Sequence, residues 1–286
     1  MIVRLSRVLH ALVLFLFVLS SSGCMSIISN RMSDTLSNAI LNQDDPTLVR
    51  DGAPAYLLLI DGLIMDSPND ASLLIAASKL NGAYAGIFAE DKVRARLMSD
   101  KAMRYARTAL CQSQRSLCKA EKAKFKDYSA LVANIEKSDL AVVFAYASAW
   151  AGQIQANSSD WMAVADVPRV EALLEKVIAL NPAFENGQPH LYLGVIRSQI
   201  PPSLGGKPEQ GKQHFETAIK YSSGKDMMAK VLYAETYARL MFDQELHDQL
   251  LNDVLNANPV VEGLTLTNTL AQTRAQQLLQ SGKDYF

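Results

Sequence analysis

The residues of this chain able to do chemistry are three cysteines, four histidines and 29 carboxylates, and their spacing limits what that chemistry is. Cys24 ends a Ser-rich stretch behind an apolar run, where a thiol can receive an acyl group. Cys111 and Cys118 are close enough in sequence to pair in an oxidising compartment. On one continuous helix they would lie about 10 Å apart, too far for a bridge, so a disulfide requires Gln112–Ser116 to be a loop. Two free thiols are the other reading. No histidine lies near either cysteine in sequence, so neither a metal site nor a cofactor is expected. His190, His214 and His247 are scattered and lack the four-residue spacing of zinc hydrolases, which makes them packing or surface residues. The chain has no Gly-x-Ser-x-Gly, and Gly224-Lys225-Asp226 lacks both the upstream glycine and the hydroxyl of a phosphate-binding loop. Glu136, Glu171 and Glu216 could form an acid–base pair only by meeting in space, and none sits in a Glu-Ser pair opening an apolar helix. The expectation is a protein that binds and is not an enzyme.

The start of the chain sets the compartment. Arg4 and Arg7 precede the apolar run Ala11–Leu19, which leads into Ser20-Ser21-Ser22-Gly23-Cys24. A charged start, a run too short to span a bilayer and small residues at its end describe a secretory signal. Gly23-Cys24 resembles a bacterial lipoprotein processing site, although Ser21 stands where Leu is commoner; an ordinary signal peptide is the alternative. Met25, where an Asp would signal retention, is similar to an outer-membrane address with the body facing the periplasm. Residues 1–23 are read as the signal peptide, 24–45 as the lipid anchor with its linker or helix, and 46–286 as one helical domain. Removing Arg4 and Arg7 with the signal takes the formal charge from −1 to −3, against a basic groove for nucleic acid.

The elements behind these residues read as helices throughout. A short helix covers Asp34–Gln43 and is stopped by Asp44-Asp45-Pro46; Pro54 then opens an apolar helix over Ala55–Met65. Asn69 or Asp70 caps a helix carrying Leu73, Leu74, Ala77, Leu80, Ala83, Tyr84, Ile87 and Phe88 at the helical period. Asp91–Leu110 is its more charged partner, and a short helix follows at Tyr128–Ile135. Leu140–Gln155 carries Phe144, Tyr146 and Trp150; core packing explains these rings, and an apolar ligand cleft is the alternative. Trp161–Pro168 reads as an insertion, Val170–Leu180 as a helix, and Thr267–Gln280 as a final helix whose polar face suits a solenoid cap.

The stretch His190–Ser222 resembles one tetratricopeptide unit. His190, Leu193, Gly194 and Arg197 recur at the helical period on one side, and Gly211, Phe215 and Ala218 on the other. A second unit, with Val231, Ala234, Glu235, Ala238, His247, Leu251, Val254 and Pro259, keeps the same spacing. The predicted fold is all-α, three or four tetratricopeptide-like helical hairpins in an α-α superhelix with insertions; an irregular bundle is the alternative. What stretches the first unit is Pro201-Pro202-Ser203-Leu204-Gly205-Gly206-Lys207-Pro208. Its prolines stiffen the ends and its glycines allow close backbone approach. It is either a fixed loop touching a partner or pocket, or a tight connector. Trp150, Pro202, Leu204, Gly205, Gly206, Lys207, His214 and Phe215 are the candidate partner or ligand contacts.

Taken together, these motifs resemble the T-component family of tripartite ATP-independent periplasmic (TRAP) transporters. The resemblance rests on Gly23-Cys24, Arg50-Asp51-Gly52-Ala53-Pro54, Ser67-Pro68-Asn69-Asp70, Ala149-Trp150-Ala151-Gly152, the Pro201–Pro208 connector with His214-Phe215 and Ala218, Asn268, and the aromatic end Tyr285-Phe286. It implies an oligomer in some members, a hydrophobic tunnel for an apolar small molecule, and association with the periplasmic solute-binding protein. The function expected is an outer-membrane-anchored accessory component of a TRAP-type uptake system, lipid-anchored at Cys24. The alternative is a scaffold lipoprotein for envelope or outer-membrane assembly.

Overall fold

The computed structural model describes residues 38–89 and 91–286, without the side chain of Leu204. The signal segment, Cys24 and the start of the helix expected at Asp34 lie outside the described residues. A helical turn at 38–41 is followed by thirteen α-helices, and there is no strand among the described residues.

The first helix corrects the sequence reading. The helical turn at 38–41 ends ahead of Asp44-Asp45-Pro46, as expected, but the same residues also open a helix, α1 (Pro46–Asp66). The Asp45 carboxylate accepts from the Thr47 and Leu48 amides, at 2.9 and 3.1 Å, and Pro46 fits the first turn, where its missing N–H costs nothing. Pro54, expected at a helix start, lies inside α1. An interior proline costs about 3 kcal/mol. Burial of Val49, Leu57 and Ile60, at about 1.5–3 kcal/mol each, offsets that.

Asp70 and Asp91 cap α2 (Ala71–Ile87) and α3 (Lys92–Ser113) through their carboxylates. Gln114 takes non-helical angles (φ −120°, ψ 58°) and separates α3 from α4 (Arg115–Lys119). That break brings the Cys111 and Cys118 Cα atoms to 5.1 Å, where they are joined as a disulfide. The next helix, α5 (Phe125–Ala133), precedes a 3₁₀ turn at Lys137–Asp139, where Glu136 and Asp139 form a reciprocal capping box ahead of α6 (Leu140–Ala156). The expected insertion holds the short helix α7 (Trp161–Val164), and α8 begins at Val167, with Pro168 in its first turn, and runs to Leu180.

The remaining helices are α9 (Gln188–Arg197), α10 (Pro208–Tyr221), α11 (Met227–Leu232), α12 (Gln244–Asn256) and α13 (Thr265–Tyr285). A π-helical turn, Tyr233–Ala238, prolongs α11. Packing is chiefly between neighbours: α1 on α2, α2 on α3, α3 on α6, α6 on α8, α8 on α9, α9 on α10, α12 on α13. This is the order of successive helical hairpins. One apolar cluster spans α2 to α8 and takes Leu193 of α9; a second spans α10 to α13 and takes Leu191 of the same helix. Helix α9 therefore joins two cores.

Helix α13 packs on α11 and α12 and also touches α1. The Gly263 amide donates to Asn42 Oδ1 at 2.7 Å, so the two ends of the array meet. Asn268, fully buried, accepts from the Met227 amide and donates to the Lys225 carbonyl, both at 3.0 Å, fixing the start of α11 against α13. Phe286 lies with its ring centroid 5.0 Å from that of buried His247, which anchors the aromatic C-terminus on α12.

Candidate partner-binding site

Helices α9 and α10 approach closely because their contact positions are small. A Cβ on Gly194 would sit 3.0 Å from the Phe215 ring, and one on Gly211 would sit 2.2 Å from Ser198 Oγ and 3.0 Å from the Gly194 carbonyl oxygen. Phe215, fully buried, fills the space so created and stacks on Tyr233 at 5.1 Å and 14°.

The connector between them is pinned. Pro202–Leu204 forms one 3₁₀ turn, ended by Gly205 at φ +83°. The Gly205 amide donates to the Pro202 carbonyl at 3.0 Å and the Gly206 amide to the Pro201 carbonyl at 3.1 Å. Gly206 passes so near Ile200 that a Cβ there would lie 1.7 Å from the Ile200 carbonyl oxygen. No side chain fits at that point. Pro202, Ser203, Gly205 and Lys207 face solvent. The outer surface is thus a preformed loop with one cation, and it costs a partner little ordering entropy.

Three of the candidate contacts lie elsewhere. Trp150 is 5 % exposed and packs in the first core, edge-on to Tyr128 at 6.4 Å and tilted on Tyr146 at 5.4 Å. Phe215 is a core residue of the second. His214 turns inward to a polar cluster that the sequence reading missed.

In that cluster Arg197, at the end of α9, pairs with Glu171 Oε1 at 3.0 Å and with Glu175, both on α8. Its Nη1 lies 2.8 Å from His214 Nε2, and His214 Nδ1 lies 2.8 Å from His190 Nδ1. Arginine only donates, so His214 Nε2 must accept, which puts the His214 proton on Nδ1. That N–H donates to His190 Nδ1. His190 then carries its own proton on Nε2, an atom that is buried without a partner. Burial, the Arg197 guanidinium and the neighbouring His190 pull the His214 pKa down to about 4, and burial lowers that of His190. Both rings are neutral near pH 7. The cluster ties α8, α9 and α10 together. The histidines and Arg197 are in sequence view, but only the hairpin register brings His190 and His214 together.

On the other flank Tyr237, in the π turn, donates to Glu209 Oε1 at 2.8 Å; burial and that carboxylate push its pKa up to about 12. Of the three glutamates weighed for acid–base work, Glu136 caps a turn, Glu171 binds Arg197 and Glu216 accepts from the Tyr233 hydroxyl at 3.5 Å. Each has a structural partner. Among the described residues no group of three His, Cys, Asp or Glu is placed to hold a metal ion. Apart from the connector, a cleft of about 340 Å³ has the Arg50–Pro54 motif on one side and Tyr84, Phe88, Asp91 and Arg94 on the other. Its lining mixes both charge signs with two rings.

Among the described residues no helix is long and apolar enough to cross a membrane. No curated protein matches the sequence. A family model described as TRAP transporter T-component matches residues 42–286, which include helices α1 to α13, the connector and the aromatic end, and the chain belongs to that family.

Proposed function

We propose that this protein is an accessory component of a TRAP-type solute uptake system, held to the periplasmic face of the outer membrane by acyl chains on Cys24, and that it docks the system's periplasmic solute-binding protein. The observation that carries the reading is the family match over 42–286, joined to a connector whose shape is set before any partner arrives. In this reading Pro202, Gly205 and Lys207 are the contact, with Leu204 among them, while Gly206 holds the shape. The chain works by binding, with residues 46–286 acting as one helical domain. An apolar small molecule carried between the helices and a homo-oligomer belong to the same reading.

The test is capture of the solute-binding protein from membranes in mild detergent, compared between the native chain and Gly206→Val. Recovery with the native chain and loss with the variant supports docking through the connector. Repeated recovery of envelope-assembly proteins instead would assign the chain to a scaffold role. Native mass spectrometry of unacylated protein separately reports a bound apolar molecule.

A further inference from the structure

The first and third helices leave an apolar face uncovered. Leu58 and Met65 on α1 are 72 % and 84 % exposed, and Val93 and Leu97 on α3 are 69 % and 63 % exposed. These belong to one surface. Asp61 of α1 accepts from the Tyr105 hydroxyl at 2.6 Å and pairs with Lys101, both on α3. Farther toward both N-termini, Arg50 and Pro54 face Arg94 across the cleft, so the two helices run parallel. Leu58 stands one turn before Asp61, and Leu97 one turn before Lys101, which sets these leucines at the same height. Val93 precedes Leu97 by a further turn, and Met65 follows Asp61 by one.

The border of this face is basic. Helix α3 carries Lys92, Arg94, Arg96, Lys101, Arg104 and Arg107 against the single acid Asp100. Lys101 is taken by Asp61 and Arg107 by Glu121. Arg96 and Arg104 are exposed and have no ion-pair partner among the described residues. By the helical period Arg104 lies on the line of Val93 and Leu97, and Arg96 at its edge.

We propose that this α1–α3 face rests on an anionic phospholipid surface. Apolar side chains bordered by guanidinium groups match the acyl–headgroup boundary of such a leaflet. A symmetric contact with a second copy would instead oppose two basic helices. Residues 24–37 carry one base, Arg31, and one acid, Asp34, so that stretch brings no excess of negative charge to cover the face; the further acids Asp44 and Asp45 stand at the start of α1, where Asp45 caps the helix. The inference draws on the proposed lipid anchor at Cys24: even fully extended, the segment from Cys24 to Pro46 spans at most ~80 Å. The anchor keeps the face near the leaflet, where weak adhesion suffices to orient the body.

The experiment uses the chain from residue 24 with Cys24→Ser, which carries no acyl group, and sedimentation with phosphatidylethanolamine vesicles containing about 30 % phosphatidylglycerol, against pure phosphatidylcholine. Binding to the anionic vesicles is expected to fall roughly 25-fold in Arg96→Gln/Arg104→Gln, about fivefold per charge, and by at least about tenfold in Leu58→Asn/Leu97→Asn. All four positions are exposed, and helical circular dichroism checks that the variants fold. Absence of binding, or equal binding to phosphatidylcholine that ignores the arginines, overturns the proposal. So does an oligomer without vesicles that the Leu58/Leu97 variant converts to monomer, since the face then belongs to a second copy. An intact mass showing no acyl group on the native chain refutes the anchor while leaving the vesicle result to decide the face.

Discussion

Replacing Gly206 by valine tests the connector through its backbone. The added Cβ would begin 1.7 Å from the Ile200 carbonyl oxygen and 2.4 Å from its carbonyl carbon. Both are backbone atoms, so no rotamer change relieves the contact. Reaching the 3.0 Å that real Cβ atoms respect requires Gly206 and Ile200 to part by more than ~1 Å. That movement breaks the Gly206–Pro201 hydrogen bond and displaces Ile200, for a cost of about 2–3 kcal/mol. In a helical body of this size, the melting temperature should fall by about 4–12 °C. Gly205→Ala isolates the other backbone effect. Its φ of +83° disfavours a side chain by about 1–2 kcal/mol, but a Cβ there meets nothing within 4 Å. Lys207→Ala, on the exposed side, should stay within about 0.5 kcal/mol. Thermal unfolding by circular dichroism and partner affinity by calorimetry give the order Gly206→Val, Gly205→Ala, Lys207→Ala. Equal melting temperature and equal affinity for Gly206→Val and Lys207→Ala would refute the reasoning.

Three further outcomes follow from the packing and the titrating groups. Gly194→Ala pushes a methyl into the Phe215 ring, 3.0 Å away, and should destabilise by about 1–3 kcal/mol in urea unfolding; a neutral result would mean that α9 and α10 can separate freely. His214, lowered to about 4 when folded, binds a proton in the unfolded chain first, so stability should decline as pH falls from about 6.5 to 4. Solvent screening of this half-buried ring leaves about 1–2 kcal/mol of loss, and His214→Gln should flatten that part of the pH profile. Replacing both Cys111 and Cys118 by alanine opens the short loop across Gln114 and should cost about 2 kcal/mol, read as a lower urea midpoint than in the oxidised native chain.

The helical class and the hairpin order were legible because apolar residues repeat at the helical period and because Asp70 and Asp91 are side-chain caps. The extent of α1 was not. Proline normally interrupts a helix, and only the burial of Val49, Leu57 and Ile60 carries the chain through Pro54. The connector stood out as an excess of Pro and Gly, and the same composition fits both a loose link and a fixed loop. The distinction lies in Gly206 meeting Ile200, a contact between backbones that side-chain types do not encode. Trp150 carried the opposite ambiguity: an aromatic among alanines suits a cleft or a core, and the rings of Tyr128 and Tyr146 make it a core. The His190–His214 pair was hidden because 24 residues separate its members, and no local period joins them.

The most direct measurement of the docking claim is quantitative capture from detergent-solubilised membranes, with proteins identified by mass spectrometry, for the native chain, Gly206→Val and Lys207→Ala. The expected result is a periplasmic solute-binding protein recovered with the native chain, partly retained by Lys207→Ala and lost with Gly206→Val. Recovery of that protein at equal yield with all three chains would contradict docking through the connector, and its absence alongside envelope-assembly proteins would contradict the transport role.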